Sequence, residues 1–198
     1  MPEDKPKRAI VSQPAAVSLV FSAIELFQIP GLGDSYESYG YIFGHRDFNA
    51  EVDTLYIDHA LPLVYVADRT RRSVAPYHDF EQLRGRLWTL QHPILHSTLY
   101  GSRMIGSYHS HPVSGQAALS DADRDAIRPN NIGAVVGVSR PTEGGEEPHW
   151  RLENNVLKGR LDVVDIQIGI WYREGQEIVQ YQPICQSLLG ADAYWDIE

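Results

Sequence analysis

The residues best suited to chemistry are two histidines, His109 and His111, in the stretch Tyr108-His109-Ser110-His111-Pro112, with Ser120 and Asp123 a short way downstream. Side chains alternate along an extended chain, so imidazoles at i and i+2 share one face of a strand. Ser120-x-x-Asp123 reads as the start of a helix, with Ser120 as its N-cap. A strand end carrying two imidazoles, facing a helix start carrying one carboxylate, is a three-ligand metal site with its fourth position open. That is the arrangement of catalytic zinc. Hydrolysis there needs a base for the activated water, whose pKa the ion brings down to roughly 7. It also needs a donor for the oxygen that becomes negative. Ser120 suits the second role, and Glu37, at the mouth of a buried strand, suits the first.

Taken singly, each feature has a plainer reading. A lone His-x-His is often a surface coincidence, Ser120-x-x-Asp123 can be a capping box and nothing more, and Glu37 can be a solvated loop carboxylate. The conjunction, in order and in suitable local context, carries the weight. His45, His59, His78, His92, His96 and His149 have no comparable spacing, and Trp88, Trp150, Trp171 and Trp195 read as core.

The elements that must position these groups follow from pattern. Residues 103–108 alternate loosely into the histidines, so a strand ends there. Pro14 opens a helix whose broad apolar face carries Val17, Val20, Phe21, Ile24 and Phe27, and the loop from Pro30 to Asp34 ends it. Residues 39–43 read as a buried strand, 45–49 as a turn, and 52–63 as an antiparallel strand. A helical spacing covers 79–90, and 133–139 is a buried strand. The segment 150–161 is ambiguous, and 163–171 with 176–184 reads as a hairpin. Residues 141–148 form an acidic loop. Strands mixed with a few helices predict a three-layer α-β-α or α+β domain with one sheet.

The chain has 198 residues, of which 43% are hydrophobic and 22% charged, which suits one globular domain. We expect a disordered tail over 1–8 and a single domain over 9–198. The formal net charge of −9 argues against a nucleic-acid partner, which would be held by Lys and Arg. Cys185 stands alone, which excludes an internal disulfide and a cysteine-rich zinc site. No signal peptide or membrane span is visible, so a cytoplasmic setting is expected.

Glu37-x-x-Gly40-x-Ile42-x-Gly44, the strand into His109-x-His111-Pro112, and Ser120-x-x-Asp123 together resemble the JAMM (MPN-plus) metalloprotease family. The resemblance runs in family order from about Pro14 to Ile184. Its gap between His111 and Ser120 is one residue longer than the commonest form. The resemblance implies a mixed central β-sheet flanked by helices, of the cytidine-deaminase-like α/β kind. It implies one catalytic Zn2+ per chain on His109, His111 and Asp123, Glu37 as general base and proton donor, and Ser120 at the oxyanion. The implied activity is that of an isopeptidase or deubiquitinase, cleaving ubiquitin or a ubiquitin-like modifier after its C-terminal glycine. A peptide would lie against 95–103, flanked by 143–148.

Two alternatives stay within this resemblance: a peptidase that processes a sulfur-carrier protein, and a non-catalytic scaffold subunit. An oligomer or a complex partner is compatible with either. A metallophosphatase or amidohydrolase barrel is set aside, because its His-x-His usually follows the first strand of a chain of ~250 residues.

Overall fold

The structure, a computed structural model, describes residues 5–27, 35–48, 51–63, 68–69, 74–75, 103–141, 149–161 and 163–190. The readings made for 30–34, 79–90, 95–102 and 142–148, and those for His78, His92, His96, Trp88 and Trp195, lie outside the described residues.

The first strand, β1 (Lys7–Val11), begins inside the stretch expected to be a tail, and its two sheet neighbours come from distant parts of the chain. It runs parallel to β3 (Asp53–Pro62) on one side and to the end of β11 (Glu177–Ile184) on the other. From β3 the sheet continues through β2 (Tyr39–Phe48), β6 (Arg103–His111), β7 (Ile132–Ser139) and β10 (Val164–Glu174). The first half of β11 then pairs with β10, so among the described residues seven strands close into a ring.

This overturns the expected α/β architecture of the JAMM and cytidine-deaminase-like kind, a mixed central sheet flanked by helices. The described residues are mainly strand, and the sheet curls until its ends meet. Helix is confined there to α1 (Gln13–Phe27), α2 (Asp121–Ala126) and the short α3 (Gln186–Leu189). The physical reason lies in β11, which leaves β10 after Tyr181 and takes up β1 from Gln182 onward, a junction no local pattern encodes.

Strand alternation sorts the two faces of the ring. Ala134, Val136 and Val138 of β7 and Ile166, Ile168, Ile170 and Tyr172 of β10 enter one core, with Tyr108 of β6. The helix α1 contributes Ala15, Ala16, Leu19, Val20 and Ala23 to the same core and packs against β3, β6 and β7. Its N-cap is Ser12, whose Oγ accepts the Ala15 N–H at 3.2 Å, so Pro14 falls in the first turn, where its missing N–H costs nothing. The opposite parity faces outward. There Val135 and Trp171 meet Ile127, just past α2, in a second, smaller apolar cluster.

Two local readings also change. Residues 45–48 continue β2 rather than turning, and the ambiguous 150–161 is a hairpin of β8 (Arg151–Glu153) and β9 (Val156–Leu161). Two two-residue strands, β4 (Asp68–Arg69) and β5 (Val74–Ala75), pair with each other. No helix among the described residues is long and apolar enough to cross a membrane.

Candidate metal centre

His109 and His111 sit at the end of β6 with their side chains on the outer face, since Tyr108 and Ser110 between and before them are fully buried on the inner one. The chain then turns through Gly115, whose φ of +64° is a left-handed conformation that glycine adopts without strain. It reaches Ser120, the N-cap of α2, and Asp123 one turn in.

The three expected ligands converge. His109 Nε2 lies 3.0 Å from Asp123 Oδ1, and His111 Nε2 lies 3.4 Å from Asp123 Oδ2. The two Nε2 atoms are 2.9 Å apart. Ligand atoms on a tetrahedral zinc ion, with bonds of about 2.0–2.1 Å, stand roughly 3.3 Å from one another. The two Nε2 atoms, and each of them with the carboxylate oxygen nearest it, stand within about half an ångström of that spacing. This group can hold a metal ion, and it is the one group of its kind among the described residues.

Its electrostatics fit a cation. Burial would push the Asp123 carboxyl up, yet hydrogen bonds to His109 and His111, with one from Ser120, hold it well below the usual carboxylate range. Burial would lower His111, but its hydrogen bond to Asp123 and the charge of Glu37 raise it above the ordinary imidazole value. His111 Nδ1 donates to the Gln116 carbonyl at 3.2 Å, so with an ion bound Nε2 would be the nitrogen that offers its lone pair.

Glu37 is nearly fully buried, and its position follows from the sheet. Tyr39 of β2 pairs with His109, and the backbone just before it stays tied to Ser110, which places Glu37 on the parity of the ligands. Burial raises its carboxyl above the ordinary value, His109 and His111 pull it back, and Asp123 adds to the rise. The four expected groups therefore share one electrostatic environment.

Ser120 does something the spacing alone left open. Its Oγ donates to Asp123 Oδ2 at 2.7 Å, its N–H donates to the same oxygen at 2.8 Å, and the Asp123 N–H returns to Oγ at 3.1 Å. This reciprocal box both starts α2 and aims the carboxylate at the imidazoles.

Sequence reasoning missed the supports. Ser110, Gly137 and Gln167 are brought to the centre by their strand positions, and Gln116 by the loop after β6. Tyr108 OH and Ser22 Oγ, 3.0 Å apart, tie β6 to α1 directly beneath the histidines. Of the remaining histidines in the described residues, His45 stacks on Tyr56 and faces Asp58 at 3.6 Å, away from this group.

No protein-family model and no curated protein matches the chain. Among solved structures it is similar to protein DSY2949 from Desulfitobacterium hafniense, determined in solution, with a TM-score of 0.52 and 13% identity over 89% of this chain and 92% of that one. A likeness at that identity speaks to the fold alone.

Proposed function

We propose that this chain is a zinc-dependent peptidase or isopeptidase that cleaves ubiquitin or a ubiquitin-like modifier after its terminal glycine. The observation that carries this reading is the convergence of His109, His111 and Asp123 beside the buried Glu37. The resemblance of these residues to the JAMM protease pattern supplies the substrate class.

His109, His111 and Asp123 would hold a zinc ion, which would supply Lewis acidity to the scissile carbonyl and a lowered pKa to water. Glu37 takes the proton from the attacking water and hands it to the departing amine. A carboxyl raised by burial suits that double duty, because it holds the proton more readily than a solvated carboxylate before passing it on. Ser120 turns its hydroxyl from Asp123 toward the oxygen that gains charge, a short rotation from its capping position. Asp123 keeps the Ser120 N–H through that rotation, so the ligand stays aimed.

The experiment is hydrolysis of a panel of ubiquitin-like conjugates, with and without chelator, beside a Glu37→Gln variant. Cleavage that needs zinc and Glu37 supports the reading. A wild-type protein that binds zinc yet cleaves no member of the panel overturns the substrate class, and one that takes up no zinc overturns the chemistry.

A further inference from the structure

Three residues on neighbouring strands form one row under the loop that follows the histidines. Gly137 of β7 pairs with His111 of β6 on one side and with Gln167 of β10 on the other. The loop crosses this row at the peptide group joining Gln116 to Ala117. The N–H of that peptide, on Ala117, donates to Gln167 Oε1 at 3.4 Å. Its carbonyl, on Gln116, accepts from His111 Nδ1 at 3.2 Å.

Both contacts belong to one planar unit. In a trans peptide the N–H and C=O point in opposite directions, so anchoring the first toward β10 aims the second back at β6. Gly137 makes the crossing possible. A Cβ there would fall 2.5 Å from the Gly115 carbonyl oxygen, 2.7 Å from the Gln116 carbonyl carbon and 2.8 Å from the Ala117 nitrogen. All three are backbone atoms, so any side chain would lift the peptide off the sheet. A carbonyl can only accept, so this contact favours a proton on Nδ1, while Nε2 faces His109 Nε2 at 2.9 Å and the competing acceptor Asp123 Oδ2 at 3.4 Å.

We propose that Gln167 is a positioning residue for the metal centre, acting through the Gln116–Ala117 peptide to set the ring orientation of His111 and favour its Nδ1–H tautomer. Donation to Gln167 also polarises the peptide and makes its carbonyl a better acceptor. The predicted effect on zinc rests on reading His109, His111 and Asp123 as ligands, whereas the effect on the tautomer does not.

The test separates the two. Long-range 1H–15N spectra of the metal-free protein, at a pH where imidazoles are neutral, should show a larger Nδ1–H fraction for His111 in the wild-type protein than in Gln167→Leu. Gln167→Glu, which restores an acceptor, should recover the wild-type fraction. Zinc affinity, measured against a chromophoric chelator, should fall roughly tenfold in Gln167→Leu and recover in Gln167→Glu. Should Gln167→Leu fold poorly, Gln167→Met keeps the side-chain length without an oxygen acceptor and reads the same quantity. A wild-type tautomer and wild-type zinc affinity in the Leu or Met variant would overturn the proposal, as would failure of Glu to rescue. If the wild-type protein takes up no zinc, the ligand reading falls, and the tautomer ratios still decide the role of Gln167.

Discussion

Ser38 and Ser110 are tied twice: the Ser38 N–H donates to Ser110 Oγ at 2.7 Å, and the Ser110 N–H donates to the Ser38 carbonyl at 3.0 Å. Ser110 sits between the two histidines and faces the other way, so this pair fastens the backbone of Glu37 to the strand of the ligands. Glu37 and the two histidines therefore keep one spacing by backbone contact.

Ser110→Ala removes the acceptor of a buried N–H and should cost about 1–3 kcal/mol in urea unfolding. Turnover should fall while zinc affinity holds, because Glu37 shifts and the imidazoles do not. Equal losses in both would contradict this division of labour.

Glu37→Gln keeps shape and removes the base. Turnover should drop by roughly 10²–10⁴-fold, the usual worth of a positioned base, with zinc affinity changed by less than a few-fold. A variant retaining most of its turnover would exclude Glu37 from the proton transfer.

Zinc at about a thousand times its Kd should add ~4 kcal/mol of stability, and stripping it should lower Tm by about 8–16 °C in a chain of this size. The raised pKa of His111, where burial is outweighed by the Asp123 hydrogen bond, means that a proton competes with the ion earlier than at a free imidazole. Zinc affinity should therefore begin to fall at a pH above the ordinary histidine value of about 6.5 as the solution is acidified. Titrations from pH 8 to 5 will show it, and a flat profile would refute it.

The seam of the ring has its own signature. Arg46 donates to Asp53 through Nε at 2.7 Å and through Nη2 at 2.5 Å, and Tyr181 OH donates to Asp53 Oδ2 at 2.5 Å. Asp53→Asn should cost about 3 kcal/mol, because it leaves a largely buried guanidinium with only the exposed Glu174 as charge partner. Burial would raise Asp53, but Arg46 and Tyr181 hold its folded pKa below the unfolded value of about 3.9. Its contribution is thus present above ~pH 4 and is lost as pH falls below that. Burial and the bond to Asp53 raise Tyr181, so its contribution is present below ~pH 10 and is lost as pH rises further. Urea midpoints from pH 2.5 to 11 should decline at both ends, and both slopes should flatten in Asp53→Asn.

The ligand set was legible because its signals are local: a period of two places both imidazoles on one face, and a three-residue offset builds the Ser120–Asp123 box. Ring closure was not, since it depends on residues 8–10 pairing with 182–184. Residues 45–48 read as a turn in the sequence, yet the ladder to β3 runs on from His45–Tyr56 to Phe48–Asp53, and Arg46 adds contacts to Asp53, Glu174 and the Tyr172 ring. The hairpin at 151–161 did carry a signal, Asn154-Asn155, whose φ values of 52° and 56° make the tight turn that asparagine tolerates. Gln167 had no such marker, because its importance comes from standing two strands away from His111.

The first strand lies between two strands made later, β3 and β11. On the ribosome, then, the chain can emerge through its last metal ligand, at residue 123, long before the ring can shut. A nascent chain halted before residue 164 also lacks the strand that bears Gln167. The candidate centre is therefore completed only once the strands that close the ring have been made.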